Sequence, residues 1–185
     1  MMRRVWLIGV ACAALSGVAA GQSAQKFSIQ GSGAVVFPTS TDTASFQKNT
    51  KLGWEAQLRY TFSRFSVGAG YQRAVVLKGK DGNTTGAVSV GFVEPRYVIT
   101  ANSRLALYLA GRLGIGKLLC DPREDCAEQS LQPAFGGGGG LLVKLGSRVS
   151  MDIGSQYFAT RYNTVGNTTT SAGYVLARLG LSVGL

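Results

Sequence analysis

From Leu52 to Phe62 every second residue is apolar. Leu52, Trp54, Ala56, Leu58, Tyr60 and Phe62 fall in one phase, and Gly53, Glu55, Gln57, Arg59 and Thr61 in the other. Successive side chains of a strand point to opposite faces, so this segment predicts a strand with one large apolar face and one polar face. The same period predicts seven more strands. Lys26 to Phe37 carries Phe27, Ile29, Val35 and Phe37 in phase, and Phe65 to Leu77 sets Phe65, Val67, Ala69 and Tyr71 against Ser66, Gly68, Gly70 and Gln72. Ala87 to Ile99 opens with Val88, Val90 and Phe92 on the apolar phase and then switches to Val93, Pro95, Tyr97 and Ile99. A slip of one residue there predicts a β-bulge. The fifth strand alternates Leu105, Leu107, Leu109, Leu113 and Ile115 with Ala106, Tyr108, Ala110, Arg112 and Gly114. Gln132 to Leu145, Val149 to Ala159 and a final strand through Val175, Leu179, Leu181, Val183 and Leu185 complete the set.

The connections alternate in length. Ser63-Arg64, Thr100 to Ser103 and Gly146-Ser147 are tight, whereas Pro38 to Thr50, Lys78 to Gly86, Leu118 to Leu131 and Thr160 to Ser171 are longer. A Ser-Arg-apolar triplet recurs at Ser63, Ser103 and Ser147. Strands of about ten residues, apolar toward one side, with short turns at one end and long loops at the other, are the pattern of a barrel that spans a lipid bilayer. The expected fold is all-β: an eight-stranded antiparallel up-and-down transmembrane barrel over residues 26–185. Closure removes the open sheet edges that lipid does not tolerate. A soluble barrel with the opposite polarity would need Lys and Glu along its outer face, and the polar phase here is mostly Gly, Ser and Ala.

Residues 1–20 read as a cleaved export signal, with the boundary uncertain by about four residues. Met1 to Arg4 are basic, Val5 to Val18 apolar, and Val18-Ala19-Ala20 supplies small residues for cleavage. Cys12 lies inside the apolar run and follows a poor lipoprotein context. Of the remaining cysteines, Cys120 and Cys126 flank an acidic stretch, and in an exported chain they are expected to form a disulfide. Carboxylates between them suit a divalent cation, but without calcium-loop spacing a solvated turn is the competing reading. No metal centre or cofactor is expected, because the chain has no histidine to complete a zinc set.

Net charge is +10. Basic residues are scattered rather than clustered, which points away from nucleic acid and toward phosphates of an envelope surface. Arg73, Lys78, Lys80, Lys117 and Arg161, with Lys48, Lys51 and Arg123, gather near the ends of strands next to the long loops. They form either a solvated rim or a contact for lipopolysaccharide phosphates. The polar phase carries Glu55, Arg59, Glu94, Arg96, Arg112, Lys144, Asp152 and Arg178. Pairing around the short turns sets Arg59 opposite Gly68, Glu55 opposite Gln72, Glu94 diagonal to Arg112 and Asp152 diagonal to Lys144. These charges make either a network filling a narrow lumen or a path for protons or ions. The glycine run Gly136 to Gly140 has neither the helix context nor the following Lys of a phosphate loop, so it marks close approach within a sheet.

Signal, strand count, loop asymmetry and the final alternation to Leu185 resemble the small outer-membrane barrels typified by the OmpA transmembrane domain, OmpX and the opacity-type surface proteins. Members of that group usually end in Phe, and this chain ends in Leu185. The resemblance implies a Gram-negative outer membrane, insertion by the barrel-assembly machinery, lipid and lipopolysaccharide as partners, and a monomer. It does not transfer a function. Histidine-dependent acyl chemistry is excluded by the lack of histidine. The expectation is a non-enzymatic envelope protein, structural or adhesin-like through its surface loops. The alternative is a narrow channel for small or apolar solutes.

Overall fold

The computed structural model describes residues 26–40, 51–78, 85–101, 104–121, 131–163 and 169–185. The expected export signal, Lys48, Lys80, Arg123 and Cys126 lie outside the described residues. Eight strands follow in order: β1 Phe27–Ser40, β2 Lys51–Phe62, β3 Phe65–Lys78, β4 Thr85–Ala101, β5 Leu105–Asp121, β6 Gln132–Lys144, β7 Val149–Asn163 and β8 Thr169–Gly184. Each pairs antiparallel with its sequence neighbours, and β1 pairs with β8 to close the barrel. The closing seam runs from Ser28 opposite Gly184 to Ser40 opposite Gly173. Closure pairs the backbone groups of every strand, the condition for crossing lipid.

At the short-turn end, Phe62 pairs with Phe65, leaving Ser63 and Arg64 as a two-residue turn. Ser63 takes the left-handed conformation (φ 57°) that matches the twist of such a hairpin. The third turn is wider than expected: β6 ends at Lys144, and Leu145 and Gly146 both donate backbone hydrogen bonds to the Val149 carbonyl, at 2.9 and 3.1 Å. At the opposite end several strands run further than the alternation suggested. β5 continues to Asp121, so the backbone of Cys120 is in a strand opposite Gly86 rather than in a loop.

The outward face is apolar over a broad central band. Leu52 is 72% exposed and Leu113 66%, and Leu58, Leu109, Ile153 and Leu179 are exposed beside them. Water does not tolerate so continuous an apolar band, and hydrocarbon does. Aromatic residues cluster at both ends of the band. Phe27 meets Tyr60 (ring centroids 4.9 Å apart) and Phe62 meets Phe65 (5.0 Å) at the short-turn end, and Trp54 meets Tyr71 (5.6 Å) toward the other. Such girdles sit at the two membrane interfaces.

The expected bulge in mid β4 is absent. One register holds from Ala87 to Tyr97 against β3 and from Thr85 to Val98 against β5, with shifts only at Val75/Leu77 and Val98/Thr100. Val88, Val90 and Phe92 therefore face the lumen, in the same phase as Glu94, Arg96 and Val98. They belong to an apolar cluster with Val36, Ala74, Val76, Leu118, Phe158, Tyr174 and Leu176 that packs across the long-loop half of the lumen. The phase switch in the sequence records a change in what fills the lumen, from apolar to charged, and not a change of register.

Candidate functional site

Below the apolar cluster lies a buried charge network whose ionised members come from the inward phase of five strands. Glu94 of β4 is its centre and is fully buried. One of its oxygens accepts from Arg59 at 2.7 Å and from Arg96 at 2.6 Å. The other accepts from Arg112 Nε at 2.9 Å and Nη2, from Arg178 at 3.1 Å and from Gln156 at 2.9 Å. Glu55 of β2 bridges Arg112 at 2.8 Å and Arg178 at 2.9 Å. Asp152 of β7 lies 2.7 Å from Arg96 Nη1, 3.7 Å from Arg178, and accepts from Gln30 at 2.8 Å and Tyr108 Oη at 2.6 Å.

Neutral side chains complete the network. Arg112 donates to Gln72 Oε1 at 2.5 Å, and Gln72 in turn donates to Tyr174 Oη at 3.1 Å, where the polar layer meets the apolar one. Arg59 donates to Gln57 and Ser66, and Arg178 donates to Tyr108 Oη at 2.9 Å. The guanidinium of Arg112 stacks 3.8 Å from the Phe92 ring centre, and that of Arg96 4.4 Å from Tyr108. Buried charges persist only where partners of this kind meet them.

Glycines supply the room. A Cβ at Gly68 would lie 2.8 Å from Arg59 Nη2 and 2.5 Å from Gln57 Oε1, so Gly68 is what lets the Arg59 side chain cross toward Glu94. A Cβ at Gly140 would meet Tyr108 Oη at 2.5 Å, and one at Gly154 would meet it at 2.7 Å. The glycine run of β6 thus accommodates the Tyr108 hydroxyl and the closely packed β7 backbone, the structural role its context suggested.

Seven of the eight charged residues read from the inward phase meet in this network; Lys144 stands apart. The register sets Asp152 and Lys144 on the expected diagonal, but no ion pair joins them. Asp152 sits opposite Leu142 and Lys144 opposite Ser150, one step nearer the short turn. The longer arginines reach Asp152 across the lumen instead. Gln72 faces Glu55 as expected, whereas Tyr108, Gln30, Gln156 and Tyr174 were not singled out from sequence, although each is a large polar side chain on the inward phase. That was the available signal.

Beneath the network, a cavity of about 630 Å³ extends to the short-turn end. Its walls carry Arg59, Arg96, Tyr108, Lys144 and Arg148 together with Ser28, Ser66, Ser150 and Ser182. On the outward face, pairing places Arg73, Ser89 and Lys117 side by side on β3, β4 and β5. Arg73 and Lys117 are exposed; Ser89 is buried between them, and its Oγ has no hydrogen-bond partner among the described residues. Lys78 and Arg161 are placed by their backbones in β3 and β7, near the long-loop end, opposite Thr85 and Ser171. Among the described residues no group of His, Cys, Asp and Glu is arranged to hold a metal ion.

A closed eight-stranded sheet, apolar outside and charged within, defines a transmembrane β-barrel of the outer-membrane type. Solved structures with this fold include Neisserial surface protein A, with a TM-score of 0.70 at 17% identity over 89% of this chain and 100% of that one. Another is the outer membrane protein OprG of Pseudomonas aeruginosa, with a TM-score of 0.51 at 15% identity over 89% and 98%. At these identities the likeness is one of fold. No protein-family model matches the chain, and no curated protein does.

Proposed function

We propose that this chain is a non-conducting, non-enzymatic barrel of the Gram-negative outer membrane, acting as a structural or surface-interaction protein whose strands hold its long loops outside. The observation that carries the reading is the filling of the lumen. Val36, Val88, Val90, Phe92, Phe158 and Leu176 pack across the long-loop half, and the Glu94 network closes the middle. A solute or ion would have to displace both layers, which weighs against the narrow-channel alternative. A Cys120–Cys126 disulfide would staple the segment that follows β5.

Lipopolysaccharide is the partner this reading favours. Neighbouring strands are about 4.8 Å apart, so Arg73 and Lys117 flank Ser89 at a separation of about 10 Å between their backbones. Two cations around an unpartnered hydroxyl, facing outward near the long-loop end, suit a head-group phosphate. Single-channel recording of the refolded barrel in planar bilayers tests the reading, with lipopolysaccharide in one leaflet. We expect no discrete current steps. We also expect Arg73→Gln with Lys117→Gln to lower the fraction of the detergent-solubilised barrel retained on immobilised lipopolysaccharide by about tenfold, the loss of one or two charge-assisted contacts. Regular steps in the unmodified protein would overturn the non-conducting assignment, and unchanged retention would remove this row from the lipid contact.

A further inference from the structure

We infer that the cavity at the short-turn end is a binding site for a small phosphate-bearing solute. Three observations converge on it. First, the network above it is not neutral: four arginines (Arg59, Arg96, Arg112, Arg178) face three carboxylates (Glu55, Glu94, Asp152), leaving one net positive charge in the buried layer. A buried charge without a counter-charge is costly, and an anion entering from water supplies one.

Second, the excess lies on the cavity side. Arg59, Arg96 and Lys144 line the cavity, and among the described residues no carboxylate does. Arg96 is 2% exposed, and its Nη2 has no hydrogen-bond partner among the described groups. Lys144 is in no ion pair among the described residues, and its long flexible stem can bring an ammonium to an anion held in the cavity. Third, the remaining wall is hydroxylated. Ser28, Ser66, Ser150, Ser182 and Tyr108 offer donors that suit phosphate oxygens and the polar body of a phosphate ester.

Size favours an ester over the bare ion. A volume of about 630 Å³ is within the ordinary range for a small-molecule site, and inorganic phosphate would fill only a small part of it. With the charge network and apolar cluster closing the other side, the solute enters and leaves by the short-turn end. That this end faces the periplasm rests on the membrane placement proposed above; binding itself does not.

Isothermal titration of the refolded barrel in octyl glucoside, a detergent without phosphate, tests the site. The probes are inorganic phosphate and glycerol phosphate, at low and high salt. Both should bind, the ester more tightly, with affinity falling as salt rises. Lys144→Gln should weaken glycerol phosphate by about tenfold, since it removes one charge-assisted contact. Arg64→Gln, in an exposed short turn outside the cavity wall, should leave it unchanged. Lys144 lies outside the network, so its replacement should preserve heat-modifiable folding on a denaturing gel. No detectable binding by the folded protein would overturn the proposal. So would binding that Lys144→Gln leaves unaltered, which would mean adventitious anion association only. Neither outcome depends on whether the barrel conducts.

Discussion

Glu94→Gln is expected to destabilise the barrel by about 3–5 kcal/mol, the cost of removing one member of a buried ion cluster and leaving its partners uncompensated. Glu94 meets Arg59, Arg96, Arg112 and Arg178, and among the described residues no other side chain pairs with all four. Its loss raises the net charge of the buried layer from one to two. Urea unfolding in lipid vesicles, followed by the change in electrophoretic mobility, reads the effect. Glu55→Gln should cost less, because Glu55 meets only Arg112 and Arg178. Adding Arg96→Gln to Glu94→Gln should recover part of the loss, since it removes one stranded cation. A change below about 1 kcal/mol for Glu94→Gln, typical of an exposed pair, would mean that water solvates the lumen and that the network does not close it.

Leu109→Arg is expected to cost about 2–4 kcal/mol in vesicles, the penalty for a guanidinium on the lipid face near the bilayer centre. Leu109 is exposed on the outward face of β5, between Tyr97 of β4 and Gly139 of β6. The comparison is Leu52→Arg, at the end of β2 next to Lys51, where the side chain can reach the interface and the cost should fall to about 0–1 kcal/mol. The gradient between the two positions is the signature of a membrane. In a barrel surrounded by water both substitutions would be nearly neutral, within about 0.5 kcal/mol.

The alternation made the fold legible because a barrel wall imposes one rule on every strand, apolar toward lipid. β2 follows it from Leu52 to Phe62, and β5 from Leu105 to Ile115. β4 misled because the rule says nothing about the lumen: Val88, Val90 and Phe92 are apolar and face inward, so polarity ceased to report direction there. The strand register, held through Val93 and Arg96, shows that the backbone never slipped. The identities of the network residues were legible for the same reason as the fold, since a charge on the inward phase has nowhere else to go. Their wiring was not. Local pairing suggested Asp152 with Lys144, whereas long arginine side chains join residues from distant strands, as when Arg178 of β8 meets Glu55 of β2. The cavity was hidden too, because it is made by the absence of large side chains at Ser28, Ser66, Ser150 and Ser182.

The outward orientation of the apolar phase carries every functional statement above, and Trp54 reports on it directly. The chain has two tryptophans, Trp6 in the expected export signal and Trp54 on the outward face of β2. In the barrel of residues 26–185, refolded into vesicles, Trp54 is therefore the sole tryptophan. Its fluorescence should be strongly quenched by lipids brominated on their acyl chains and little affected by aqueous iodide. Emission that brominated lipid leaves untouched would place Trp54 away from the bilayer and contradict the membrane-spanning barrel.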